Sequence, residues 1–214
     1  MLASTPTMVE TLERRGFSNV ALWRRGVDIA LFDPSHRDDA GGVYGNSPRP
    51  IFVCVGRVAV EKNLPAFLDL DLPGSKVVVG DGPARADLEA RYPGTLFVGA
   101  KFGEELARHY ADADVFVFPS LTETWGGVIV EAMACGTPVA GFDAPGPRDL
   151  IPGSGAGVVA RDGDLRTACL EALACDRGAC RAHAEQYSWA ACADDFLRHL
   201  APAPPHGQAA PGAA

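Results

Sequence analysis

Between residues 50 and 160 the chain repeats one rhythm: a short apolar run, a polar or glycine-containing break, then a stretch with helical spacing. The apolar runs at 51–55, 76–79, 95–98, 114–118, 138–142 and 157–160 predict strands. Several of them carry no alternating polar positions, as expected of strands covered on both faces. The intervening spacing predicts helices over 62–68, from after Gly80-Asp81-Gly82-Pro83 to residue 91, over 103–111 and 127–134, and through most of 163–200. Strands alternating with helices imply a parallel sheet sandwiched between helical layers. The predicted fold class is α/β, a Rossmann-like doubly wound unit. Ligands of such units bind outside the carboxyl ends of the strands. Gly56-Arg57, Gly80-Asp81-Gly82, Lys101-Phe102 and the loop 120–127 all fall at those ends.

The two ends of the chain stand outside this rhythm. Residues 6–15 predict a short helix, with Thr5 as its cap and Gly16 as its stop. Residues 19–23 predict a strand, and Arg25-Gly26-Val27-Asp28 a turn. Residues 35–49 are polar and glycine-rich, which predicts a loop or linker. Residues 201–214 consist largely of Pro, Ala and Gly and cannot bury enough apolar surface to order themselves, so they are expected to be disordered.

Charge and composition narrow the function. The formal net charge is −8, which argues against nucleic acid as a partner. Any anionic ligand must then be held by local cations and backbone amides rather than by the overall field. Six cysteines occur without a C-x-x-C pair and the histidines are scattered, so no metal-ligand pattern appears. Cys54 and Cys135 lie in apolar runs and are expected to act as small core residues. The thiols are expected to be reduced and the chain cytoplasmic. No apolar run approaches membrane-spanning length, and the N-terminus lacks the pattern of a secretion signal. His109, His183 and His199 are assigned to solvated helix faces, and Trp23 and Trp189 to packing.

The richest stretch is Ser120-Leu-Thr-Glu-Thr-Trp-Gly-Gly-Val-Ile-Val-Glu131. Gly126, Gly127 and Val128 lie where a helix begins. The unpaired amides of a first turn, with the helix dipole, favour a phosphate, and glycine lets the backbone approach it. The plain alternative is a tight turn. Arg57 follows a strand end and Lys62 opens the next helix, so both can reach the crevice and bind a diphosphate. The alternative is two solvated cations, with Lys62 paired to Glu61. Glu123 on the loop can accept hydrogen bonds from sugar hydroxyls, and Glu131, eight residues on, from a ribose. Trp125 lines the sugar or braces the loop.

Taken as a set, Gly56-Arg57-x4-Lys62-Asn63, Gly80-Asp81-Gly82-Pro83 and Ser120-x2-Glu123-Thr-Trp-Gly-x4-Glu131-Ala-Met-Ala-Cys-Gly-Thr-Pro-Val resemble the nucleotide-sugar half of retaining glycosyltransferases with the GT-B fold, the large group 1 (family 4) type. The resemblance covers residues 17 to 200, and Tyr187-Ser188-Trp189 is similar to that family's closing helix. It implies transfer of a hexose from a nucleotide diphosphate sugar, of the GDP-mannose kind, with retained configuration and without a metal. It implies that Arg57 and Lys62 grip the diphosphate and that Gly126, Gly127 and Val128 contact the phosphates or sugar. Glu123 would hold the sugar and Glu131 the ribose. Gly56, Gly82 and Trp125 would border the donor, and Lys101 and Phe102 its base. The family has two Rossmann-like domains. Residues 1–45 accordingly read as a remnant of the first domain plus the hinge, and 46–200 as the donor domain. A lipid or saccharide acceptor, and any peripheral membrane contact, would belong to the other domain. On this reading the chain is a truncated form. Two alternatives stay open: a non-catalytic nucleotide-sugar-binding fragment, and a sugar-nucleotide epimerase.

Overall fold

The computed structural model describes residues 1–200; the disorder expected at 201–214 lies outside the described residues. The chain opens with strand β1 (Leu2–Ala3), helix α1 (Pro6–Arg14) and strand β2 (Ala21–Leu22). Thr5 caps α1 as expected, its hydroxyl accepting from the Met8 amide at 3.2 Å, and Pro6 takes the first turn where no amide is needed. β1 and β2 pair in parallel as a small separate sheet.

The main unit follows as β3 (Ile51–Val55), α2 (Leu64–Leu68), β4 (Ser75–Val79), α3 (Arg85–Arg91), β5 (Leu96–Gly99), α4 (Gly103–Ala111), β6 (Val115–Phe118), α5 (Gly127–Ala134), β7 (Val139–Phe142), α6 (Pro147–Leu150), β8 (Gly157–Ala160), α7 (Leu165–Ala172), α8 (Arg177–Ala184) and α9 (Trp189–Arg198). Its six strands are all parallel, in the order β5-β4-β3-β6-β7-β8. The winding reverses between β3 and β6. That places the crevice of a doubly wound sheet at the carboxyl ends of these two strands.

Side chains alternate across the sheet and feed two cores. Ile51, Val53, Val77, Val79, Phe116 and Val139 pack on one face, with Tyr110, Ile129, Met133 and Cys180 from α4, α5 and α8. Phe52, Cys54, Val78, Val115, Val117 and Ala140 pack on the other, with Leu64, Phe67, Leu165 and Cys169 from α2 and α7. Strands buried on both faces account for the unbroken apolar runs. All six cysteines are free, and burial pushes the Cys54 thiol up to about 12.

The structure corrects four expectations. The predicted helix over 62–68 begins later. Val60–Lys62 form a 3₁₀ turn, Asn63 takes a left-handed conformation (φ 51°), and α2 starts at Leu64 because Pro65 fits only a helix's first turn. Residues 35–49 form the loop but not the linker of the loop-or-linker reading: Tyr44 is buried in the first core, and its hydroxyl donates to the His109 carbonyl. His109 is buried rather than solvated, with Nδ1 bonded to the Glu105 carbonyl at 2.7 Å. His183 is half-buried against Tyr187.

The turn 25–28 does more than connect. Val27 is buried, its amide donates to the Tyr187 carbonyl at 2.7 Å, and Gly26 lies against the Trp189 ring. Arg181 on α8 donates to the Ile29 and Phe32 carbonyls, each at 2.9 Å. The first 45 residues are thereby tied to the closing helices.

Candidate functional site

At the carboxyl end of β3 the chain turns through Gly56 and Arg57. Gly80 and Gly82, after β4, pack directly on this turn. A Cβ at Gly80 would lie 1.8 Å from the Gly56 carbonyl oxygen, and one at Gly82 would lie 2.4 Å from the Val58 oxygen. The Val58 amide in turn donates to the Asp81 carbonyl at 2.9 Å. Gly82, expected to border a ligand, thus also has a packing task.

Lys62 sits on the 3₁₀ turn and reaches across the winding reversal. Its Nζ donates to Glu123 Oε2 at 3.2 Å, joining the β3 turn to the β6 loop. Asn63 reinforces this crossing, its side-chain amide donating to the Pro119 carbonyl at 3.0 Å. The Lys62–Glu61 pair of the alternative reading does not form: Glu61 meets Arg57 at 3.5 Å, and both are exposed. The i,i+4 spacing brings Arg57 and Glu61 together, while the 3₁₀ turn aims Lys62 the other way.

Glu123 is only partly exposed. Burial works to raise its pKa, but the Thr124 amide, the Lys62 charge and the Trp125 amide outweigh it, so the carboxyl sits below its ordinary value. It therefore stays ionised at neutral pH. Glu123 also lies against two glycine positions, since a Cβ at Gly126 or Gly146 would come within 3.7 and 3.5 Å of its Cγ.

Gly126 ends this loop in a left-handed conformation (φ 86°) that a side chain would strain, and it opens α5. No side chain caps the helix. The Ile129 amide is bound to the Gly126 carbonyl at 2.9 Å, which leaves the Gly127 and Val128 amides to meet a ligand. Trp125 is half-buried and packs under Gly127, where a Cβ would come 2.8 Å from its ring. Its indole N–H is buried without a partner among the described residues.

Glu131 is the sole charged residue of α5 and points to α4, where the buried Tyr110 hydroxyl donates to its Oε2 at 2.9 Å. Burial raises its pKa, opposed by that hydrogen bond. Glu123 and Glu131 thus have separate partners. Lys101 pairs with Glu105, and Phe102 beside it is 79% exposed at the start of α4.

Arg57, Lys62 and Gly56 line one small hollow with Cys54, Pro119 and Ser120. It encloses about 10 Å³, room for one water at most, so a ligand would lie across its mouth. A trough of about 1050 Å³ runs along the free edge of β8 and includes Leu121, Asp143 and Arg161. It is larger, yet it holds none of Lys62, Glu123 or the α5 amides, and the chemistry favours the reversal point. Among the described residues no cluster of three His, Cys, Asp or Glu side chains could hold a metal ion, and no helix is long and apolar enough to cross a membrane.

Two supporting residues were not singled out from the sequence. Tyr110 lies inside a helical apolar pattern that gave no hint of its hydroxyl's task. Asn63 appeared only as a motif letter, although Asn is among the few side chains that readily adopt the left-handed conformation seen there.

A sequence model for "Glycosyl transferases group 1" matches residues 49–175. The GDP-mannose-dependent alpha-mannosyltransferase of Mycobacterium tuberculosis is 39% identical over 176 residues, which cover 81% of this chain and 47% of that protein. Sulfoquinovosyl transferase SQD2 of Arabidopsis thaliana is 38% identical over 143 residues, 63% of this chain and 28% of the plant protein. The fold superposes on sucrose-phosphate synthase from Thermosynechococcus elongatus with a TM-score of 0.76 and 26% identity, covering 92% of this chain and 56% of that one. The chain therefore spans about half, or less, of the relatives it matches. With the doubly wound sheet and the reversal-point site in place, the match over residues 49–175 settles the family: the chain belongs to the group 1 glycosyl transferases.

Proposed function

We propose that this chain forms the donor half of a retaining glycosyltransferase and binds a nucleotide diphosphate sugar across the β3–β6 reversal. The observation that carries this is the Lys62–Glu123 pair beside the uncapped start of α5: a cation, a carboxylate and open amides at one crevice. Lys62 and Arg57 take the diphosphate, with the Gly127 and Val128 amides. Glu123 takes sugar hydroxyls, and Glu131 takes the ribose. Phe102 offers its exposed ring to the base, with Lys101 beside it. As the bond from the sugar to the diphosphate breaks, negative charge grows on the departing oxygen. The same cations and amides stabilise it, and that oxygen accepts the acceptor's proton.

The mycobacterial relative's name points to GDP-mannose as donor. A lipid or saccharide acceptor would be met by a second domain of the kind those longer relatives have room for, and residues 1–45 would be its last elements and the hinge. That domain would also carry any peripheral membrane contact, and the protein would work in the cytoplasm. The chain by itself then binds donor and transfers little, because the enclosure that makes electrostatics strong is incomplete. Calorimetric titration with GDP and GDP-mannose, with and without a chelator, is the test. Binding of both, indifferent to the chelator, is expected. Absence of heat with either nucleotide would overturn the reading.

A further inference from the structure

The start of α1 and the residues just before it reach Thr124 and Asp149 from more than a hundred residues away. The Ser4 hydroxyl donates to the Thr124 carbonyl at 3.2 Å. The Thr7 amide and hydroxyl both donate to Asp149 Oδ1, at 3.1 and 2.7 Å. The other carboxylate oxygen of Asp149 is buried with no partner among the described residues, so Thr7 supplies the hydrogen bonds this side chain has. A buried carboxylate oxygen without donors is costly, and losing the Thr7 hydroxyl would leave the second oxygen with the longer amide bond alone.

Both anchor points adjoin Glu123. The Thr124 amide donates to Glu123 Oε1 at 2.8 Å, so Ser4 holds the far side of the same residue. Asp149 belongs to α6, whose Asp149 and Leu150 amides bond the Gly146 carbonyl at 3.1 and 3.0 Å. Gly146 is one of the two glycines against which the Glu123 side chain rests. Residues 4 to 7 therefore grip the loop on one side of Glu123 and the backbone on the other.

We infer that Ser4, Thr7 and Asp149 are positioning residues for Glu123: a brace that sets the sugar-contacting carboxylate and makes no hydrogen bond of its own to the diphosphate contacts. The inference rests on the donor reading for what Glu123 does, but the brace itself is a property of the unliganded chain. Ser4, Thr7 and Asp149 make no hydrogen bond to Lys62, Arg57 or the first turn of α5; the one link runs through Glu123, whose Oε1 takes the braced Thr124 amide and whose Oε2 takes Lys62. Loss of the brace should thus weaken the sugar's share of binding and spare the nucleotide's.

The experiment compares the wild type with Ser4→Ala/Thr7→Val and with Thr7→Ser, by calorimetry with GDP and GDP-mannose and by amide hydrogen exchange without ligand. The double variant is expected to lose about threefold to tenfold in affinity for GDP-mannose relative to GDP, as for one or two neutral hydrogen bonds. Thr7→Ser, which keeps the hydroxyl, should behave as wild type. Exchange at Thr124 and Trp125 should quicken in the double variant, with α4 unchanged. Equal losses for both ligands, or unaltered exchange at these amides, would overturn the brace. If the wild type binds neither nucleotide, the donor reading fails, and exchange alone then decides whether the brace exists. If the double variant does not fold, Ser4→Ala alone decides through exchange at Thr124: faster exchange supports the brace and unchanged exchange ends it.

Discussion

At the amino ends of the strands, Arg37, Arg49 and Arg177 gather around the turn from α4 into β6; at the carboxyl ends, Arg57 and Lys62 gather around the turn from β6 into α5. The residue types are alike and their circumstances differ. Arg37 donates to the Ala111 and Ala113 carbonyls at 3.1 and 3.3 Å, Arg177 to the same two at 2.7 and 2.9 Å, and Arg49 to the Asp112 carbonyl at 3.0 Å. These are the orphan carbonyls of a helix end, and the guanidiniums are consumed in satisfying them. The carboxylates there are equally occupied. Asp112 accepts the Asp38 and Val43 amides at 2.7 and 2.8 Å, and Asp114 accepts the Ile51 amide at 2.7 Å. At the carboxyl ends Arg57 meets an exposed Glu61 at 3.5 Å, the helix start carries no cap, and Val60 stands 88% exposed. A cluster whose hydrogen bonds are filled holds the fold; one left with open donors can hold a ligand.

The sharpest way to break this contrast is to remove a filled group. Asp112 is buried and fixes the loop 38–43 to the end of α4. Asp112→Ala strands two amides and is expected to cost about 3 kcal/mol, the upper range for hydrogen bonds to a charged group. Urea denaturation measures this. Nucleotide affinity at low denaturant should be unchanged. A destabilisation below about 1 kcal/mol, or a matched fall in nucleotide affinity, would erase the distinction between the ends.

The complementary change is Lys62→Ala. Its pair with Glu123 is partly exposed, and such pairs contribute about 1 kcal/mol or less. Nucleoside diphosphate affinity, by contrast, should fall at least tenfold, about 1.4 kcal/mol. Calorimetry and denaturation on the same variant test the two together. Unchanged affinity would remove Lys62 from the diphosphate site and leave it a structural cross-link.

The same contrast explains what could be read from the sequence. The inner strands announced themselves most clearly because burial on both faces demands continuous apolar runs, while the edge strands β5 and β8 are only partly buried, and the loops at the carboxyl ends followed from the winding. Lys62 and Glu123 were legible as candidate site residues because a charge in a loop at such an end has few structural tasks. Their pairing was not, because it depends on Asn63 ending the 3₁₀ turn in a left-handed conformation. Polar residues 35–49 read as a loop or linker, and their packing was not legible, since their partners, the carbonyls and carboxylates 60 to 80 residues onward, leave no local trace. Tyr44 and His109, buried against each other edge to face, were lost for the same reason.

The two acids of the site allow a finer test with a smaller effect. The Glu123 carboxyl is held below its ordinary pKa, so its charge favours the folded state above the unfolded-state pKa, about 4.3. That contribution fades as pH falls through the folded value. Glu123→Gln should therefore destabilise at pH 7 and less so in acid. Burial holds the Glu131 carboxyl above its ordinary value, so its charge costs stability at neutral pH, and the cost disappears as the group protonates. Glu131→Gln keeps an oxygen for the Tyr110 hydroxyl and removes the charge. It is expected to stabilise slightly at pH 7, with the gain shrinking on acidification, opposite in sign to Glu123→Gln. Parallel denaturation series at several pH values check the signs. In binding, Glu131→Gln should cost about threefold more for GDP than for its 2′-deoxyribose analogue, since the amide accepts fewer bonds from the ribose hydroxyls. Equal losses would take the ribose from Glu131 and leave it, with Tyr110, as a buried pair that belongs with the filled groups of the opposite end.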